Sequence, residues 1–450
     1  MAKSGSSSIW AALTSRAGKI LLAGLLLREM LSFWTAQPFD FESWIRTGYA
    51  AAHGTDPYRM FWPAVPGVSF AYLTVTIPPA AYLPFWSALL GELYRLWMVL
   101  GGGNRFVLYF LIKQPGILAD IGTAYLLYRL VGRWTGQVPA ALAVLSFWSF
   151  FPYAIAITAV WGQFDSIVVL VVVGLLFART SFERNLLNGI GIFVKYLAAI
   201  FLPLEILRER GWRRLVFLVA LGLPLVLTVA VFAIEGWSLA GLGASGLSQT
   251  HGGGVGMNYA FLLGQGPVSA VLSPIPYFYE AAGYLWVPGV VVAGWVGARW
   301  LTPQSPRSEL RAMLLVVTVF LLLRWGLYEQ YLLYLFSLML LDIVAFHPGR
   351  RVLMLFSYAL AGTWLLVDND FAIRFLSPLS TGIEPFTTAL DSSAVYGAGR
   401  RIALIVLAVL VTVTLVQLVL TYLRDVSEPV PWLFQIPQRL HRTGRYRSPA

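Results

Sequence analysis

The chain has no cysteine and little charge. Without a thiol among 450 residues, disulfides and thiolate metal sites are excluded. Only 12% of the residues are charged against 58% hydrophobic, and mean hydropathy is +0.72, far from the balance of a soluble domain. Histidine is scarce, and His53, His251, His347 and His441 are scattered, which leaves a histidine-based metal centre without support. No G-x-S-x-G elbow occurs, so "HGGGVG" from His251 reads as a lid loop and not as an esterase oxyanion loop. Internal repeats and a soluble second domain are also missing.

What is present is a succession of apolar runs of about 17 to 25 residues, the length that crosses a hydrocarbon core. They do not alternate as barrel strands would. The fold class expected is an all-α polytopic integral membrane protein with about ten to twelve transmembrane helices.

Net charge is +11, but the basic residues cluster in "RERGWRR", "HPGRR" and "IPQRLHRTGRYR", between or after apolar runs. They read as cytoplasmic anchors and membrane-lipid contacts; without an aromatic-basic platform they predict no nucleic-acid partner. Lys3, Arg16 and Lys19 precede a first helix expected from Ile20 to Thr35, read as uncleaved, and place its start in the cytoplasm. Residues 37–100 then form an outer loop with interfacial elements, 76–100 among them. Residues 1–423 make one transmembrane domain, and 424–450 a basic cytoplasmic tail. The stretch Asn185 to Leu207 has arginines on both sides, which fits a short or re-entrant hairpin better than one crossing. Two long outer connections, Glu235 to Tyr284 and Asp368 to Gly399, are candidate lids.

Ionisable groups inside apolar segments are expensive and mark candidate sites. Arg28 and Glu29 adjoin in the first helix. Lys113 and Asp120 in "KQPGILAD" share one helix face about 10 Å apart along the axis, so each needs a partner elsewhere. Gln163 and Asp165 in "AVWGQFDSI" precede an apolar run, where an aspartate serves either as a helix cap or as a site residue. Lys195 in "FVKYLAAIFLP" must snorkel or meet an anion, and a phosphate suits it. "RWGLYEQYLLYLF" gathers Arg324, Tyr328, Glu329, Gln330 and Tyr331 between two apolar runs, as an interfacial belt or a binding hairpin. Asp40 and Glu42 in "FDFESW" are either a solvated acidic loop or a general base with a companion, and Asp56 in "GTDPY" reads as a turn residue before Pro57.

Taken in order, these motifs resemble the GT-C superfamily of membrane glycosyltransferases, which use polyprenyl-phosphate sugars as donors. "DFESW" resembles the D-x-E/D-x-D motif of their first outer loop, and "GTDPYRMFW…IPPAAYLPF" the block that follows it. "KQPGILADIGTAYLLYRL", "FVKYLAAIFLPL" and "YEQYLLYLF" are similar to segments of the catalytic subunit of GPI mannosyltransferase I, and "WGQFDSI" to prokaryotic relatives. The resemblance spans Phe39 to Leu341. It implies an inverting, metal-independent and cofactor-free transfer, mannose as the sugar, a dolichyl-type phosphate donor and a lipid-linked or glycolipid acceptor. Asp40 would be the catalytic base with Glu42 beside it, binding the acceptor or orienting the base. Lys113, Asp120, Gln163, Asp165, Lys195, Arg324, Tyr328, Glu329, Gln330 and Tyr331 would serve the donor phosphate and substrate. Relatives carry H-E-K or H-E-R where this chain has Tyr328, Glu329 and Gln330, which shifts the phosphate contact to Arg324 or Lys195. The alternative class is a transporter or flippase for a lipid-linked or amphipathic solute, which predicts inverted repeats.

Overall fold

The computed structural model describes residues 14–59, 64–70, 80, 82–209, 211–242, 256–275, 277–300 and 305–427. The loop at His251, the tail 428–450 and most of "IPPAAY" lie outside them. Among the described residues every regular element is helical.

Among the described residues four stretches are long and apolar enough to cross a membrane: Gly211–Glu235, Ala281–Arg299, Pro348–Asp368 and Ala394–Arg424; the bent pair Val138–Ser149 and Pro152–Trp161 would make a fifth. Other apolar segments are shorter or carry more charge. Ser15 caps the first helix, α1 (Arg16–Ser32), by accepting from the Gly18 amide at 3.0 Å, so the helix starts and stops before the expected Ile20 to Thr35.

The "FDFESW" stretch is a helix and not a loop. Pro38 opens α2 (Pro38–Ala52), and the Gln37 side chain accepts from the Asp40 amide, as a preset φ and a capped orphan donor dictate. α2 packs on α3 (Pro84–Val99) with almost no gap: a Cβ at Gly91 would come 2.8 Å from Ala51 Cβ.

α4 (Arg105–Thr135) is the longest central element, flanked by α5 (Val138–Ser149) and α7 (Asp165–Leu175). Between these two, α6 (Pro152–Ile155) runs into a π-helical turn, Ala156–Trp161. Asp120 of α4 takes Arg28 Nε at 2.8 Å, Trp148 Nε1 at 2.8 Å and Thr158 Oγ1 at 3.3 Å, while Arg28 also donates to the Gly24 and Ser149 carbonyls. A buried pair with its remaining donors satisfied braces α1, α4 and α5.

α8 (Ser181–Val194) ends at Lys195, whose extended backbone turns the chain into the 3₁₀ segment Tyr196–Phe201 and then α9 (Leu202–Arg208). The chain returns to its starting level, because Arg184 Nε lies 3.0 Å from Glu205 Oε2. Asn185 to Leu207 is therefore a hairpin with its basic flanks together and Lys195 at its tip. α10 (Phe217–Glu235) packs along α8, and α11 (Trp286–Trp300) along α12 (Pro306–Leu323). α13 (Leu332–Ala345) is buried from Leu332 through Ile343, as expected of a helix apolar on all sides. α14 (Arg351–Asp368), α15 (Ile383–Ser392) and α16 (Ala394–Ser427) complete the bundle. The connection from Asp368 to Gly399 is pinned by ion pairs: Arg374 reaches Asp391 at 2.5 Å and Arg400 reaches the same residue at 3.3 Å.

Candidate active site

Asp40 occupies the first turn of α2 and is half-buried. Trp161 Nε1 and Gln163 Nε2 donate to the same oxygen, Oδ2, at 2.9 and 2.6 Å. Among the described residues Oδ1 accepts no hydrogen bond. Gly162 makes this convergence feasible: its φ of +98° is open to glycine, and a Cβ there would lie 2.8 Å from the Phe41 ring. Burial pushes the Asp40 carboxyl above its ordinary value; the Trp161 bond, the Lys195 charge and the Gln163 bond pull it down, while Asp165 pushes it further up.

Trp161 is held from the other side by Phe375, whose ring lies 5.7 Å away and whose carbonyl accepts from Ala36 N at 2.8 Å. The segment leading to Phe375 contains three residues at positive φ, Asp370 at 49°, Phe371 at 56° and Ala372 at 70°. Such strain persists where the surroundings over-determine it, and the Arg374 and Arg400 ion pairs do so here.

Within electrostatic reach of Asp40 stands a buried charge pair. Lys195 Nζ meets Asp165 Oδ1 at 2.9 Å and Oδ2 at 2.8 Å, and Tyr334 donates to Oδ1 at 2.9 Å. The rings of Phe164 and Tyr331, both 5.0 Å from Nζ, and Tyr82, 5.4 Å away, surround the ammonium. The anion that meets Lys195 is thus a residue of the same chain, and Asp165 receives the lysine instead of capping its helix.

Arg324 lies where α12 ends. It is buried, stacks 5.6 Å from the Trp286 ring centroid and donates to Tyr196 Oη at 3.4 Å. Asn258 fastens this helix end by donating to the Leu321, Leu322 and Arg324 carbonyls. Tyr328 is half-buried and within electrostatic reach of Asp40, Arg324 and Tyr196. Tyr82 senses Asp40, Asp165 and Tyr196, and its carbonyl is anchored by the Tyr58 hydroxyl at 3.0 Å. Asp56 forms the expected turn, accepting from Tyr58 N at 2.9 Å. Glu329 and Gln330 are buried, with Tyr153 donating to the Glu329 carbonyl at 2.8 Å. Burial first, and then the Asp368 charge, push the Glu329 carboxyl up to about 8.

Three expected site residues are occupied elsewhere. Glu42 is fully buried, takes Arg46 Nε at 2.6 Å and accepts from Phe70 N at 2.9 Å. Two positions along a helix rotate a side chain by about 200°, so Glu42 faces away from Asp40, contrary to a role beside it. Asp120 belongs to the Arg28 brace. Lys113 Nζ donates to backbone carbonyls, Ser32 at 3.0 Å and Ala159 at 2.8 Å among them. Trp161, Gly162, Tyr82, Tyr196 and Tyr334 complete the site and were missed; the Trp-Gly-Gln triplet ahead of Asp165 was the available signal. Among the described residues no group of three histidine, aspartate or glutamate side chains is placed to hold a metal.

No protein-family model matches the chain, and no curated protein is significantly similar to it. What the fold and the apolar helices define is an all-helical membrane protein with a carboxylate site.

Proposed function

We propose that this chain is an inverting GT-C-type glycosyltransferase. It moves a sugar, by resemblance mannose, from a polyprenyl phosphate of dolichyl type to a lipid-linked or glycolipid acceptor on the outer side of the membrane. The start and tail of the chain are cytoplasmic, and the crossings number about ten to twelve. The observation that carries the reading is the Asp40 carboxylate, with Oδ2 clamped by two donors and Oδ1 without a hydrogen bond among the described residues, within electrostatic reach of Lys195 and of the Tyr82 and Tyr328 hydroxyls.

Such a carboxylate suits a general base. Oδ1 takes the proton of an acceptor hydroxyl while that oxygen attacks the anomeric carbon from the face opposite the phosphate. The bond from that carbon to the phosphate oxygen breaks, the phosphate keeps the electron pair, and the configuration inverts. The Arg324 guanidinium, with the Tyr196 and Tyr328 hydroxyls, balances the departing phosphate. Lys195 is neutralised by Asp165, so it contributes a dipole and a rigid floor.

The test is incubation of purified protein in nanodiscs with labelled polyprenyl-phosphate mannose and a lipid extract, with and without EDTA. A mannosylated lipid formed equally in both and lost with Asp40→Asn is the expected result. No transfer from this donor, with the solute moved across a sealed vesicle instead, overturns the proposal in favour of a transporter.

A further inference from the structure

We propose that Lys113 is a positioning residue for the Asp40 carboxylate, an inference that rests on the reading of Asp40 as the working group of the site. Lys113 is 1% exposed, and its ammonium meets carbonyls and a hydroxyl and no carboxylate among the described residues. It donates instead to the carbonyls of Ser32 at 3.0 Å, Thr35, Ala159 at 2.8 Å and Val160 at 3.4 Å, and to Thr35 Oγ1 at 3.4 Å. These carbonyls belong to two separate segments. One is the end of α1 and its exit; the other is the π-helical turn that leads into Trp161.

Both segments continue directly into the Asp40 site. After Thr35 come Ala36 and Gln37, and Gln37 caps the Asp40 amide through Oε1 at 2.8 Å while its own amide donates to the Trp161 carbonyl at 3.3 Å. After Val160 come Trp161, Gly162 and Gln163, the two donors to Oδ2 and their hinge. Lys113 therefore ties the segment that holds Asp40 to the segment that holds its hydrogen-bond donors. The carbonyls at a helix end are orphan acceptors carrying partial negative charge, and one ammonium with three donors can gather several of them where a neutral side chain cannot. The fit is close: a Cβ at Gly162 would stand 3.1 Å from Lys113 Cε.

Trp161 and Gln163 favour the charged form of Asp40, so loosening them raises its pKa and weakens its hold in the site. Fluorine NMR of protein labelled with 5-fluorotryptophan in nanodiscs reads this directly, with the Trp161 signal identified by Trp161→Phe and its titration assigned to Asp40 by Asp40→Asn. In Lys113→Met the Trp161 signal is expected to move and its midpoint to rise by about one pH unit. Glu205→Gln, which breaks the ion pair at the opposite end of the hairpin, should lower the unfolding temperature without moving that midpoint. If Lys113→Met does not fold, Lys113→Gln decides, since an amide can serve only part of the carbonyl set and should give a smaller upward shift. An unchanged Trp161 signal and midpoint in the folded Lys113 variants overturns the proposal and leaves Lys113 a brace. In the transfer assay the same variants should lose about tenfold in kcat with KM unchanged. Absence of transfer by the wild-type protein would sink the transferase reading alone, because the fluorine titration does not depend on turnover.

Discussion

Gln163 donates to Asp40 Oδ2 across 2.6 Å, joining residues 123 positions apart in the chain. The bond holds one oxygen of the carboxylate, while the other accepts no hydrogen bond among the described residues. Asp40→Asn keeps size and shape while removing the proposed base, and general base catalysis contributes about 10²- to 10⁴-fold. Single-turnover rates should fall by that factor with donor binding retained. Gln163→Leu, which leaves the base but loosens it, should cost about tenfold.

Gly162→Ala adds a side chain at a φ of +98° and 2.8 Å from the Phe41 ring. Positive φ in a non-glycine residue costs about 1–3 kcal/mol. The variant should unfold at lower temperature and, because Trp161 and Gln163 move with residue 162, lose activity more than its stability predicts. Activity measured well below the unfolding temperature checks this; a wild-type rate there would separate Gly162 from the site.

Glu42→Gln leaves Arg46 buried beside a neutral amide. Losing one partner of a buried pair costs about 3–5 kcal/mol. Thermal unfolding should register that loss, while the rate per folded molecule stays near wild type, since both Glu42 oxygens are engaged away from Asp40.

Activity should rise with pH through a pKa above the ordinary carboxylate value, because burial raises Asp40 and only its ionised form accepts a proton. Gln163→Leu removes a bond that favours the ion, so the acid limb should move to still higher pH. A rate profile recorded for both proteins gives the order directly.

Glu329 carries an opposite dependence, on stability. Its folded pKa is raised from 4.5 to about 8, above the value of the unfolded chain, so its contribution is fully present below the unfolded pKa and is lost as pH rises through the folded one. Stability should therefore decline across that window. Glu329→Gln should flatten the decline, measured as unfolding temperature against pH.

The helical class was legible because apolar length and backbone hydrogen bonding in lipid leave few other solutions. The hairpin around Lys195 was also legible, from arginines at both of its ends, and so was the Asp56 turn, whose hydrogen bond spans two residues. Asp40 stood out as an acid at the edge of an apolar run. Its companion Glu42 did not follow, because the stretch was read as a loop in which neighbours can face together. Pro38 and the Gln37 cap make it a helix, and a helix turns them apart.

Which charges work and which brace was decided only by the tertiary structure. Lys113, Asp120 and Lys195 look alike in sequence, each a charge in an apolar run that demands a partner. The partner comes from segments far along the chain: carbonyls of α1 and the π-helical turn for Lys113, Arg28 for Asp120, Asp165 for Lys195. Local sequence establishes the cost of burying a charge, which depends on the residue and its apolar neighbours. Packing settles how that cost is offset, since hydrogen bonds and ion pairs act over a few ångströms whatever the separation in the chain.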